Sequence, residues 1–97
     1  MYLPLNGNAN DLSGNQHNAI NYNCVLSAGH TGLANQAYDF NGSSSRMEVN
    51  SHADLTPANF TLSGWIFYNS APTGIQAVLN KPLCSSWTDS YGIWFEN

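Results

Sequence analysis

Hydrophobic and polar positions along this chain change within a few residues of each other, in short runs of the kind that suit strands. The longest apolar stretch is residues 60–68, Phe-Thr-Leu-Ser-Gly-Trp-Ile-Phe-Tyr. Its first half alternates, with Phe60 and Leu62 on one face against Thr61 and Ser63 on the other, and residues 65–68 are apolar on both faces. Aromatic and β-branched content, together with Gly64, disfavours a helix there. The pattern predicts a central β-strand covered on both sides.

The remaining runs are shorter. Residues 2–5 are apolar, with Pro4 placing them at an edge or a strand end, and residues 6–15 form a polar loop. A strand is predicted over residues 19–26, followed by a turn with two glycines at 27–32. Residues 38–40 and 46–50 both alternate, and Asn41-Gly42 between them is a strong hairpin signal, so these runs are predicted to pair with each other. Residues 51–55 have room for one helical turn before Pro57. Strands are predicted again at 76–80, ended by Pro82, and at 91–97. An all-β antiparallel fold in a single domain over residues 1–97 is the expectation.

Composition changes this picture in two ways. Charged residues are only 8% of the 97, against roughly 25% in an average soluble protein, so solubility rests on Asn, Ser and Gly, of which Asn and Gly also tolerate the left-handed backbone of tight turns. The net charge of −4, with Arg46 and Lys81 the sole fixed cations, supplies no basic patch for nucleic acid or for an anionic membrane surface. No apolar run approaches the roughly 20 residues of a spanning helix, so no membrane insertion is expected, and no leader pattern is read at the amino terminus. Cys24 and Cys84 permit one disulfide; their spacing leaves the pairing open, and two separate buried thiols are the preferred reading.

Four segments, taken in order, carry a family resemblance. They are residues 5–15 (Leu-Asn-Gly-Asn-Ala-Asn-Asp-Leu-Ser-Gly-Asn), 37–43 (Ala-Tyr-Asp-Phe-Asn-Gly-Ser), 47–49 (Met-Glu-Val) and 59–66 (Asn-Phe-Thr-Leu-Ser-Gly-Trp-Ile). Their succession resembles that of a laminin G-like domain of the concanavalin A-like jelly-roll superfamily, with residues 91–93 similar to the next strand. The resemblance implies a two-sheet jelly-roll sandwich, an extracellular or cell-surface location, and a carbohydrate-binding or adhesion role within a larger protein. Members usually run on for several more strands, the last of which pairs beside the first. The chain thus resembles the amino-terminal part of such a domain, and its bare sheet edges lead to the expectation of a homo-oligomer completed by intermolecular strand pairing.

Candidate chemistry is sparse. The oxygen-rich loop can supply ligands to Ca²⁺, with Asp11 its only fixed charge and Asn8 and Asn10 beside it; members of the resembled family often bind Ca²⁺ at a sandwich rim. The same residues also serve turns through side-chain to backbone hydrogen bonds, and that reading stands beside the first. His17, His30, His52 and the cysteines lack the short paired spacings of zinc motifs and read as surface or turn residues. No nucleophile elbow is present. Glycoside hydrolases of this superfamily carry Glu-x-Asp-x-Glu on one strand face, whereas Glu48 is flanked at alternate positions by Arg46 and Asn50, and Glu96 has no second acid nearby. The chain is therefore expected to act without catalysis, on a glycan or an extracellular protein, with the fragment of a hydrolase as an alternative. For a ligand face the aromatic and amide groups of Trp87, Tyr91 and Asn97 are the candidates, Trp87 foremost because it lies in a polar loop, while Trp65 and Trp94 are assigned to the core.

Overall fold

A computed structural model describes residues 1–71, 73–81 and 91–96. The described residues are all-β, with strands β1 (Ala19–Tyr22), β2 (Val25–Ser27), β3 (Ala37–Asp39), β4 (Arg46–Val49), β5 (Gln76–Lys81) and β6 (Tyr91–Phe95), and one 3-10 turn at Ala53–Leu55. None of the described helices is long and apolar enough to cross a membrane. Two compact units divide the chain, Met1–Ser63 and Gly64–Asn97.

The first unit is one antiparallel ribbon with an interruption. β1 pairs with β4, Ala19 opposite Val49 and Tyr22 opposite Arg46, and β2 pairs with β3, Val25 opposite Asp39 and Ser27 opposite Ala37. Between the two ladders the residues 40–45 stand opposite only Asn23 and Cys24, so the longer leg loops out while both ladders keep their register. The predicted strand over 19–26 is therefore broken in two. Asn23 takes a left-handed backbone (φ 59), which no ladder residue can hold, and Asn21 fixes the break by accepting from the Cys24 N–H at 2.9 Å and donating to the Cys24 carbonyl at 3.0 Å.

The predicted hairpin between residues 38–40 and 46–50 is not formed, although both runs are strands. The Asn41 side chain is the reason. Its Oδ1 accepts the N–H groups of Ser43, Ser44 and Ser45 and the Ser45 hydroxyl, which curls the segment into a closed loop in place of a two-residue turn. The ribbon turns instead at residues 28–36, where Gln36 N–H donates to the Ser27 carbonyl and Gly29 N–H to the Leu33 carbonyl. A Cβ at Gly29 would lie 2.7 Å from that of Gln36, so the glycine lets the two legs close. On the face of β1 and β4, Arg46 lies 4.1 Å over the Tyr22 ring and its Nε donates to Glu48, the same-face pairing that alternation places two residues apart.

The second unit contains the β5–β6 hairpin, Gln76 opposite Phe95 and Lys81 opposite Tyr91, with Val78 as an extra residue between Ala77 and Leu79. Tyr68 meets Phe95 edge-on at 4.8 Å. Residues 60–68, predicted as the central strand, form no strand, and Trp65, assigned to the core, is 81% exposed, with Trp94 at 39%. Alternation reports what a segment is able to bury. It does not supply the neighbouring strand whose backbone must complete the ladder, and none of the described strands pairs with these residues.

Candidate functional site

Chemistry gathers at the open end of the ribbon, just before β1 and just after β4. Only four of the described residues are buried, Ala9, Cys24, Asp11 and His17, and two of these are polar. Asp11 is the post around which the entering chain winds. Its Oδ1 accepts the N–H groups of Tyr2 (2.7 Å) and Ser13 (3.0 Å), and its Oδ2 accepts the Ser13 hydroxyl (2.9 Å) and the His17 N–H (3.0 Å). A carboxylate offers about four lone-pair positions, and all are used. These bonds, that of Tyr2 foremost, hold the Asp11 carboxyl well below the usual carboxylate range against the opposing effect of burial. Asn18 Oδ1 accepts the Asp11 N–H in return, and Gln16 reverses the chain in a left-handed conformation (φ 58), which delivers His17 inward.

From the other leg, His52 leaves β4 in extended conformation and caps the 3-10 turn, whose Leu55 N–H donates to the His52 carbonyl at 3.1 Å and whose Thr56 N–H donates to the Ala53 carbonyl at 3.2 Å. The turn aims Asp54 back at both imidazoles. Asp54 Oδ2 lies 2.7 Å from His17 Nε2 and Oδ1 lies 2.5 Å from His52 Nδ1, while the two rings sit 4.8 Å apart at 52°. Hydrogen bonding from His17, then from His52, draws the Asp54 carboxyl down. The ring nitrogens that face Asp54 are donors in this arrangement. Beside the cluster lies an open cleft of ≈ 330 Å³ lined by Asn15, Gln16, Asn18, Asn50 and Ser51 together with the histidines and Val49. The cleft is thus ringed by amides and a hydroxyl, with the imidazole of His17 buried next to it.

The residues singled out in the sequence fall differently. Asp11, Asn8 and Asn10 share a loop, in which both Asp11 oxygens accept internal donors and Asn8 Oδ1 accepts the Asn10 N–H at 2.9 Å. A Ca²⁺ ion there would have to displace backbone donors from Asp11. Of the aromatic and amide candidates, Tyr91 opens β6, half-buried, and Trp87 and Asn97 lie outside the described residues. Cys24 is a free thiol whose burial pushes its ionisation up, away from reactivity; Cys84 lies outside the described residues. His30 stays apart from the cluster, whereas His17 and His52, read as turn histidines, are brought together with Asp54. The one local signal for this was His52-x-Asp54; the other partner lies 37 positions from Asp54, a spacing no short motif contains.

Comparison with protein-family models, with curated proteins and with solved structures finds no match for this chain.

Proposed function

We propose that this chain is a non-catalytic carbohydrate-binding module of a larger secreted or cell-surface protein, built as part of a laminin G-like jelly-roll sandwich. The observation that carries this reading is the amide-lined cleft at the open end of the ribbon. Sugar hydroxyls need donors and acceptors at several adjacent points, and Asn15, Gln16, Asn18, Asn50 and Ser51, residue types that supply both, line one depression. The antiparallel pairing of all three ladders is consistent with the sandwich. A glycan array probed with the full chain tests the function. Specific retention on a defined set of glycans is expected, weakened at least about tenfold by Asn50→Leu, which removes an amide from the cleft wall while leaving the ladders untouched. The absence of any retained glycan, or binding indifferent to Asn50→Leu, overturns the placement of the ligand here.

A second reading is favoured by a different observation. Phe67 is 87% exposed and Trp65 81% exposed, and large aromatic surfaces of this kind anchor protein partners. On this reading the chain is a structural or interaction module, and copies of it associate through open strand edges. Light scattering that finds a monomer at all concentrations would remove the self-association part.

A further inference from the structure

The open end of the ribbon also holds a set of donors that a glycan does not require. We propose that His17, His52 and Asp54 form a binding site for a first-row divalent transition ion of the Zn²⁺ class, coordinated by His17 Nε2, His52 Nδ1 and one Asp54 carboxylate oxygen. The inference stands on the geometry of these three side chains and does not depend on what the cleft binds.

Donor chemistry selects the class. Two imidazole nitrogens and one carboxylate suit Zn²⁺ and its neighbours, whereas Ca²⁺ and Mg²⁺ take oxygen almost exclusively. Distance selects the place. In a tetrahedral zinc site with bonds of about 2.0–2.1 Å, ligand atoms lie roughly 3.3 Å from one another. Here one donor atom from each residue lies within 4.8 Å of the others, and Asp54 meets His17 Nε2 through Oδ2 at 2.7 Å and His52 Nδ1 through Oδ1 at 2.5 Å, so for a shared ion some distances must open slightly and others close. The side chains that need to move are the ones able to. His52 is 62% exposed and Asp54 46% exposed, while His17 is buried and held by its backbone bond to Asp11. One ligand is thus fixed and two are adjustable.

Binding exchanges one partner for another. The protons now shared between the imidazoles and Asp54 leave the ligating nitrogens: a neutral ring carries its proton on the other nitrogen, and a protonated ring releases one to solvent. Two neutral imidazoles and a carboxylate leave the ion with a net charge of +1. Water fills the fourth position on the side open to solvent.

Isothermal titration of the full chain with ZnCl₂ tests this, accompanied by Co²⁺ absorption as a reporter of tetrahedral coordination. One ion per chain is expected, with visible Co²⁺ bands of tetrahedral intensity and a thermal midpoint raised by about 10 °C at a zinc concentration near 100 times the Kd. The exposed ligand gives the decisive variant, because His52→Gln leaves the buried anchor intact. It should weaken zinc at least thirtyfold with an unchanged far-ultraviolet circular dichroism spectrum, and His30→Ala should bind as the parent does. His17→Ala should abolish binding, but it removes a buried ring and is read only alongside His52→Gln. Failure of the full chain to take up one zinc ion overturns the site, as does uptake in His52→Gln at the parent affinity, whichever other ligands then hold the metal.

Discussion

Replacing Asp11 with asparagine is expected to lower the thermal midpoint of the Met1–Ser63 unit by roughly 10 °C or more, since a lost charge-assisted hydrogen bond is worth several degrees in so small a unit and Asp11 makes several. Both of its oxygens accept two donors each, from Tyr2, Ser13 and His17. An asparagine keeps one acceptor oxygen and turns an NH₂ group toward backbone N–H groups that cannot accept from it. Conservative in shape, the change is therefore severe in chemistry. The same carboxylate sets an acid limit. Its folded-state ionisation is depressed from the ordinary value of 3.8, so its contribution is complete above that value and is lost as pH falls below it toward the folded one. With metal removed by chelation, the parent chain should lose stability steeply below about pH 4, and Asp11→Asn should show a shallower slope. Some slope should persist, because Asp54 is also held low by His17 and His52. Thermal melts monitored by circular dichroism across this range decide the matter. A variant that matches the parent in midpoint and acid slope would show that the loop closes without its anchor.

The second large effect belongs to the other unit. Gly92 in β6 stands opposite Asn80, and a Cβ placed there would lie 2.4 Å from the Leu79 carbonyl oxygen and 2.8 Å from the Trp94 indole. A backbone oxygen in a paired strand cannot step aside as a side-chain tip does. Gly92→Val must therefore separate β5 from β6 or drive Trp94 off the glycine. The expected result is loss of the hairpin, read by hydrogen exchange as at least a tenfold fall in protection of the β5 amides that bond to β6, with β1 to β4 unaffected. Unchanged protection would place the strands farther apart than described.

How far the sequence disclosed this molecule depended on whether the deciding contact was local. Strands β3 to β6 and the 3-10 turn followed from alternation and from Pro and Gly punctuation within a residue or two. The partners of β3 and β4 did not, because pairing in that unit was decided by two asparagine side chains. Asn41 gathers three N–H groups into a closed loop where Asn41-Gly42 promised a tight turn, and Asn21 clasps Cys24 so that residues 19–26 break. Residues 60–68 looked strongest of all and formed no strand, since apolar content names a demand and not the surface that meets it. The site was hidden for the same reason. His17 meets Asp54 only after β1 has found β4, and until that pairing is known the two are unrelated letters 37 positions apart.

The interruption in the ribbon also orders events in time. The β2–β3 ladder is expected to close first, across the short tip at residues 28–36 where the cost in chain entropy is least, with β1–β4 adding beyond the excursion of residues 40–45. The open end, with its two histidines, should then zip last. A clasp placed there acts on a contact absent from the transition state, so it should slow unfolding and leave the folding rate as it was. Stopped-flow chevrons with and without Zn²⁺ should share a folding limb and differ in the unfolding limb; a shifted folding limb would mean that assembly begins at the open end. On this account an ion at His17 and His52 governs how long the folded chain lasts, and has no part in how quickly it forms.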